Sequence, residues 1–228
     1  MKTETNNNGI IAGPLYARAV LFDMDGTLVD SSAVIERAWH WWSARHGIPV
    51  EPILQVQQGR PNREVLREFG PGLDLDAEAA AFLRFEETDT EGVVPVPGAL
   101  EAVRQAQQGL WAVVTSADRS LAEVRLQTTG FPLPPVLVGA DMITRGKPDP
   151  ECFLLAAERL RVPPAECIVF EDAKAGVAAG KAAGMPVVGL LTSLSKADLP
   201  ADWHVPDFRG VRISQQRNGI FEVILGDF

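Results

Sequence analysis

A chain of 228 residues, 46% of them hydrophobic, can bury a substantial core, and 22% charged residues with 20 Gly and 17 Pro indicate neither disorder nor a fibrous class. The net charge is −9 with no basic run, which argues against nucleic acid as a partner; any bound anion must meet positive charge placed locally. No apolar run reaches the length of a membrane span, and the polar, Asn-rich start lacks the stretch of a signal peptide.

Residues 1–16 are expected to be a flexible leader on a cytoplasmic, monomeric protein. "AVLFD" (19–23) then reads as a buried strand. No further strand candidate occurs until "LWAVVT" (110–115), and Ser31–His46, Asn62–Phe69 and Asp76–Glu91 all carry helical patterns, with Ser31 or Ser32 placed to cap the first. That is too much helix for one crossover. Residues 31–94 are therefore expected to form an inserted all-helical cap, entered at "LVDSS" and left at "GVVPVPG", on a core made of residues 17–30 and 95–228.

Helical segments Gly98–Gln108, Ser120–Thr128, Pro150–Leu160 and Ala173–Ala183 alternate with apolar runs "LWAVVT", "PVLVG" (135–139), "CIVFE" (167–171) and "PVVGLL" (186–191). Strand and helix alternating in this way predict an α/β fold with a parallel sheet covered on both faces. Cys152 and Cys167 fall in apolar segments and read as reduced core thiols. Asn218-Gly219 between two β-rich runs predicts a hairpin, expected to add antiparallel strands at a sheet edge.

In open parallel sheets, sites form beyond the C-terminal strand ends. There the sequence sets Asp23 and Asp25 after the first strand, Thr115 and Ser116 after the second, Lys147 in "RGKPDP", and Glu171 and Asp172 after "CIVFE". Each group alone has an ordinary role in a turn, a cap or a solvated surface. Together on one rim they suit phosphoryl transfer. Asp23 is placed to attack phosphorus, and Asp25, two residues on and expected on the same face, to exchange a proton with the leaving oxygen and with water. Mg²⁺ between Asp23 and Asp172, with Glu171 nearby, would relieve the repulsion between carboxylates and phosphate. Thr115 and the following N–H groups can hydrogen-bond phosphoryl oxygens, and Lys147 adds fixed charge.

"FDMDGTL", the hydroxyl of "VVTS", the lysine of "RGKPDP" and the acids of "FEDAKAG" resemble the four ordered motifs of the haloacid dehalogenase-like superfamily, and the helical insertion resembles its subfamily I. The resemblance implies a Rossmann-like core, Asp23 as nucleophile, Asp25 as general acid/base, Thr115 and Lys147 as phosphate ligands, and a Mg²⁺ site of Asp23, Glu171, Asp172 and the Asp25 carbonyl. An acid at Asp25 argues against dehalogenation, since halide leaves without a proton. β-Phosphoglucomutases share the motifs but carry a histidine where this chain has Ile35. "ETDTEGVVPVPGA" (87–99) and "RGKPDPECFLLAAERL" (145–160) look like bacterial sugar and hexitol phosphatases related to 2-deoxyglucose-6-phosphate phosphatase, which implies sugar or polyol phosphates as substrates.

In the cap, "QGRPNREVL" (58–66) is expected to present Arg60 and Asn62 towards the substrate. At least one or two of Trp39, Trp41 and Trp42 are expected to pack the cap core. A hexose phosphomutase and an idle phosphosugar-binding protein are the alternatives.

Overall fold

The computed structural model describes residues 13–57 and 60–226. Its strands and helices, in chain order, are β1 (Leu15–Ala17), β2 (Ala19–Phe22), β3 (Val29–Asp30), α1 (Ser32–His46), α2 (Glu51–Val56), α3 (Asn62–Phe69), α4 (Leu75–Thr88), β4 (Val94–Pro95), α5 (Ala99–Ala106), β5 (Leu110–Val114), α6 (Arg119–Thr128), β6 (Val136–Val138), α7 (Glu151–Leu160), β7 (Cys167–Glu171), α8 (Lys174–Ala182), β8 (Val187–Leu190), β9 (Trp203–Val205), β10 (Val211–Gln215) and β11 (Phe221–Leu225).

Among the described residues, six parallel strands form the central sheet in the order β6-β5-β2-β7-β8-β9. All four residues of β2 are buried, as a strand covered on both faces requires. Alternate residues feed two cores. Val20, Phe22, Val113, Ile168 and Phe170 meet α5 and α6 on one face, while Leu21, Val114, Val169 and Val187 meet α7 and α8 on the other. Phe22 stacks on Phe170 with ring centroids 5.4 Å apart, fastening the middle of the first core.

Two expectations change. The Asn218-Gly219 hairpin forms as β10 and β11, with Gly219 at φ 79°, but it does not extend the central sheet. It pairs through β11 with β1, in a separate antiparallel sheet. The reason is packing: Phe221, Val223, Val211 and Ile213 present an apolar face to α5, and the Ile213 N–H donates to Gln105 Oε1 at 2.7 Å. Of the expected leader, residues 1–12 lie outside the described residues, whereas Leu15 and Tyr16 are paired with β11 and Leu15 is buried. The edge of the central sheet is instead taken by β9, a short strand that sequence patterning misses.

The insertion between β3 and β4 is helical, and its four helices close on a core of their own. Trp39 and Trp42 are fully buried there, Trp39 lying 4.3 Å from Phe82 between ring centroids, and Trp41 stacks on Phe85 at 5.0 Å. The three tryptophans thus serve cap packing. The two crossings between cap and core run side by side as an antiparallel pair, Val29 opposite Pro95 and Asp30 opposite Val94. Ser31 stands at the N-cap of α1, yet its side chain makes no capping bond; its hydroxyl is used elsewhere.

Candidate active site

Strand order diverges at β2, with β5 and β6 on one side and β7, β8 and β9 on the other, so the crevice at its C-terminal end is a topological switch point. Register does the rest. Phe22 is level with Val113 of β5 and Phe170 of β7, and the Asp23 N–H donates to the Phe170 carbonyl at 2.9 Å. Asp23, Thr115 and Glu171 therefore emerge together from three neighbouring strands.

Lys147 reaches this point from the turn before α7. Its Nζ donates to Asp23 Oδ1 at 2.5 Å, to Glu171 Oε1 at 2.8 Å and to the Val114 carbonyl at 3.2 Å. Carboxylate oxygens of Asp23, Glu171 and Asp172 all lie within 4.8 Å of one another, and all three residues are buried. Burial, followed by the charge of Glu171, pushes the Asp172 carboxyl up to about 7. Burial likewise lifts Asp23 well above the carboxylate range, against the pull of Lys147. Burial works against a charged lysine, but Asp23 and Glu171 outweigh it and raise the Lys147 pKa. Three buried carboxylates against one ammonium leave two negative charges in excess when all are ionised. Hard oxygen donors with excess negative charge fit a divalent cation such as Mg²⁺.

Two glycines make room for this cluster. Gly26 holds φ 83° in the turn that returns its N–H to the Val29 carbonyl, and a Cβ there would collide with Asp172 Oδ2. Gly176 in α8 lies so close to the Glu171 carboxylate that a Cβ would overlap it. Thr27 donates to Asp172 Oδ1 at 3.3 Å, and Ser193 donates to Asp172 Oδ2. The Ala173 N–H donates to Glu171 Oε2 at 2.7 Å.

Asp25 comes close to Asp23 for a different reason than the two-residue spacing. Strand β2 ends at Phe22, so strand periodicity does not extend to Asp25; the tight turn through Gly26 carries it to the same cavity. Its Oδ1 accepts from Ser31 Oγ at 2.6 Å and from Arg125 Nη1 at 2.8 Å.

That cavity, of about 660 Å³, lies between core and cap. Asp23, Asp25, Thr115, Ser116 and Lys147 line it from the core; Ile35, Gln57, Arg60, Asn62 and Glu86 line it from the cap. Thr115 is buried, and its Oγ1 accepts from the Ala117 N–H at 3.0 Å, which leaves its own O–H to donate. Arg60 pairs with Glu68 at 2.9 Å, and Asn62 donates to Glu86 Oε2 at 2.7 Å. Gln58 and Gly59, which precede Arg60 in the expected substrate-facing segment, lie outside the described residues. Arg63 faces Asp76, not the cavity.

Sequence reasoning missed Arg125, Glu86, Thr27 and Ser193. A signal existed for the first two. Arg125 follows Leu121 by four residues and precedes Leu126 on the buried face of α6, and Glu86 follows Phe82 by four on the buried face of α4. Charged residues at core-facing helical positions ask for a partner.

The comparisons with known proteins agree with this geometry. A family model described as haloacid dehalogenase-like hydrolase matches residues 17–184. The chain is 38% identical over 214 residues to hexitol phosphatase A of Escherichia coli (strain K12), covering 90% of this chain and 98% of that protein. It is 41% identical over 197 residues to validoxylamine A 7'-phosphate phosphatase of Streptomyces hygroscopicus subsp. limoneus, covering 80% and 92% respectively. Its structure is similar to CbbY from Rhodobacter sphaeroides in complex with phosphate, with a TM-score of 0.74 at 25% identity over 84% of this chain and 95% of that one. By the length of the matched model, the identity of these relatives and the arrangement of the strand-end acids, the chain belongs to the haloacid dehalogenase-like hydrolases.

Proposed function

We propose that the protein is a Mg²⁺-dependent phosphatase that hydrolyses phosphorylated sugars or sugar alcohols through a phosphorylated Asp23. The observation that carries this reading is the buried meeting of Asp23, Lys147, Glu171 and Asp172 beside Asp25, in a cavity shared with a polar cap. Two relatives, at 38% and 41% identity, are named hexitol phosphatase A and validoxylamine A 7'-phosphate phosphatase, and the first of these names supports the substrate class.

In this reading an Asp23 carboxylate oxygen bonds to phosphorus as the ester P–O bond breaks, and Asp25 gives its proton to the departing alkoxide. Asp25 then takes a proton from water as the water oxygen bonds to phosphorus and the Asp23–phosphorus bond breaks. Asp23 is regenerated, Asp25 is again protonated, and phosphate is released. Lys147 holds Asp23 in place and offers positive charge to the phosphoryl oxygens, and the Thr115 hydroxyl donates to them. Mg²⁺, held by Asp23, Asp172 and Glu171 with the Asp25 carbonyl, would supply the charge that lets an anion approach so many carboxylates. Arg60, Asn62 and Ser116 are assigned to the substrate: on the cap side a row of polar groups faces the space beyond the phosphate site, as hydroxyl recognition needs. Ile35 offers no proton-transfer group where a phosphomutase would place a histidine. We take the protein to act as a cytoplasmic monomer; both cysteines are free and buried, as suits a reducing compartment, and no described helix is long and apolar enough to cross a membrane.

The test is a phosphate-release screen with Mg²⁺ across sugar and polyol phosphates, with the Asp23→Asn variant as blank. Release from hexose or hexitol phosphates is expected. Conversion of β-glucose 1-phosphate to glucose 6-phosphate in the presence of a bisphosphate, without release, would make the enzyme a mutase.

A further inference from the structure

The active-site acid/base is tied to the cap by an arginine that no motif contains. Arg125 lies on α6, 2% exposed, among Leu121, Ala122 and Leu126. One arm of its guanidinium, Nη1, donates to Asp25 Oδ1 at 2.8 Å in the core; the other, Nη2, donates to Glu86 Oε1 at 2.7 Å in the cap. Glu86, also 2% exposed, has its second oxygen filled by Asn62 Nδ2 at 2.7 Å, from the first turn of α3. A continuous chain of charge-assisted hydrogen bonds thus runs from Asn62 through Glu86 and Arg125 to Asp25.

We propose that Arg125 is the positioning residue for Asp25, and that Glu86 of the cap holds it in register, so that the orientation of the proton-transferring carboxylate depends on cap side chains. The inference rests on the phosphatase reading, in which Asp25 moves protons at both steps.

Three features carry it. Arg125 and Ser31 both donate to the same oxygen, Oδ1, which leaves Oδ2 as the oxygen that carries the transferred proton. The planar fork of arginine spans two carboxylates on two elements in fixed geometry; a lysine ammonium in its place would be a point charge on a flexible stem. Burial removes water as a substitute partner, so loss of either acid leaves the guanidinium short of an acceptor. Its Nε has no partner, so its hydrogen bonds to Asp25 and Glu86 run through the two terminal nitrogens.

The experiment separates proton transfer from general damage. p-Nitrophenolate leaves without a proton, so phosphorylation of Asp23 by p-nitrophenyl phosphate does not need Asp25, whereas hydrolysis of the phosphorylated enzyme does. Arg125→Met and Glu86→Gln are compared with the unaltered enzyme by rapid mixing. A burst of about one p-nitrophenolate per site is expected in both variants, followed by turnover slowed about 10²-fold, the scale of loss from a misplaced catalytic group. With a hexitol phosphate both steps slow and no burst of phosphorylated enzyme forms.

If Arg125→Met folds poorly, the Arg125→Met/Glu86→Gln pair, which removes the buried guanidinium together with the buried carboxylate it meets in the cap, is used instead. It is expected to be no slower than Arg125→Met alone, since both residues act through one chain. Full turnover in these variants, or equal loss of burst and steady state, overturns the proposal. Failure of the unaltered enzyme to release phosphate from either ester overturns the phosphatase reading itself.

Discussion

Lys147 Nζ stands 2.5 Å from Asp23 Oδ1 and 2.8 Å from Glu171 Oε1, so one ammonium joins the proposed attacking acid to a proposed metal ligand. Removing it takes away charge stabilisation and the group that orients Asp23. Lys147→Ala is expected to lower kcat by about 10²–10³-fold, the scale of losing one preorganised electrostatic donor. Steady-state kinetics on the best hexitol phosphate measure it, and an unchanged kcat would remove Lys147 from the mechanism.

Gly176 offers a test of the metal site that replaces none of the proposed ligand residues. A methyl group there must displace the Glu171 carboxylate. Gly176→Ala is expected to raise the Mg²⁺ concentration for half-maximal activity about 10–100-fold, the usual cost of disturbing groups that support metal ligands. An activity-versus-Mg²⁺ titration reads this directly, and an unmoved midpoint would argue that Glu171 is not held for metal.

Much of this was legible in the sequence, and what was not has a physical reason. Strands β2, β5, β7 and β8 are buried on both faces and appear as unbroken apolar runs, so their ends, and the acids and hydroxyl beyond them, could be placed by inspection. Strand β1 could not: Leu15–Ala17 is three residues long, and its partner β11 lies some two hundred residues away. Helix α2 is six residues long and begins with Glu51-Pro52, too short for a period to show. The core-facing positions of Arg125 and Glu86 ask for partners, but that each is the other's partner shows only once the cap is folded against α6.

The same pair gives a pH prediction. Burial pushes the Glu86 carboxyl up to about 7, with Arg125 only partly opposing it. A carboxyl whose pKa rises on folding binds its proton more tightly in the native state. Its contribution to stability is therefore full below its ordinary value near 4.5 and is lost as pH rises towards 7. The contribution at stake is roughly 3 kcal/mol. Urea unfolding of the unaltered protein and of Glu86→Gln across this window should show the difference in stability between them changing in favour of the variant as pH rises. Parallel curves would show that Glu86 titrates as an ordinary carboxyl.

Mg²⁺ should also act on stability in the absence of substrate. With all its groups ionised, the cluster of Asp23, Glu171, Asp172 and Lys147 carries two excess negative charges, which a divalent cation offsets in the folded state and which the unfolded chain does not gather in one place. Saturating Mg²⁺ at about a hundred times its Kd is expected to stabilise the protein by about 2.7 kcal/mol. Thermal unfolding with and without a chelator measures it, and Asp172→Asn should abolish most of the shift. An equal shift in both proteins would place the ion elsewhere.

Because Val29–Asp30 and Val94–Pro95 lie side by side, the chain leaves the core and returns to it at almost the same point. Antiparallel neighbours are about 5 Å apart, a gap that a two-residue turn closes. To the core, the whole helical insertion is equivalent to one long hairpin loop, and its aromatic interior of Trp39, Trp42 and Phe82 belongs to it alone. Such a segment can be exchanged as a cassette without re-registering any strand of the central sheet. A lineage could change what this enzyme accepts by swapping one loop while the strand-end chemistry is inherited unaltered, provided the newcomer brings a carboxylate to meet Arg125.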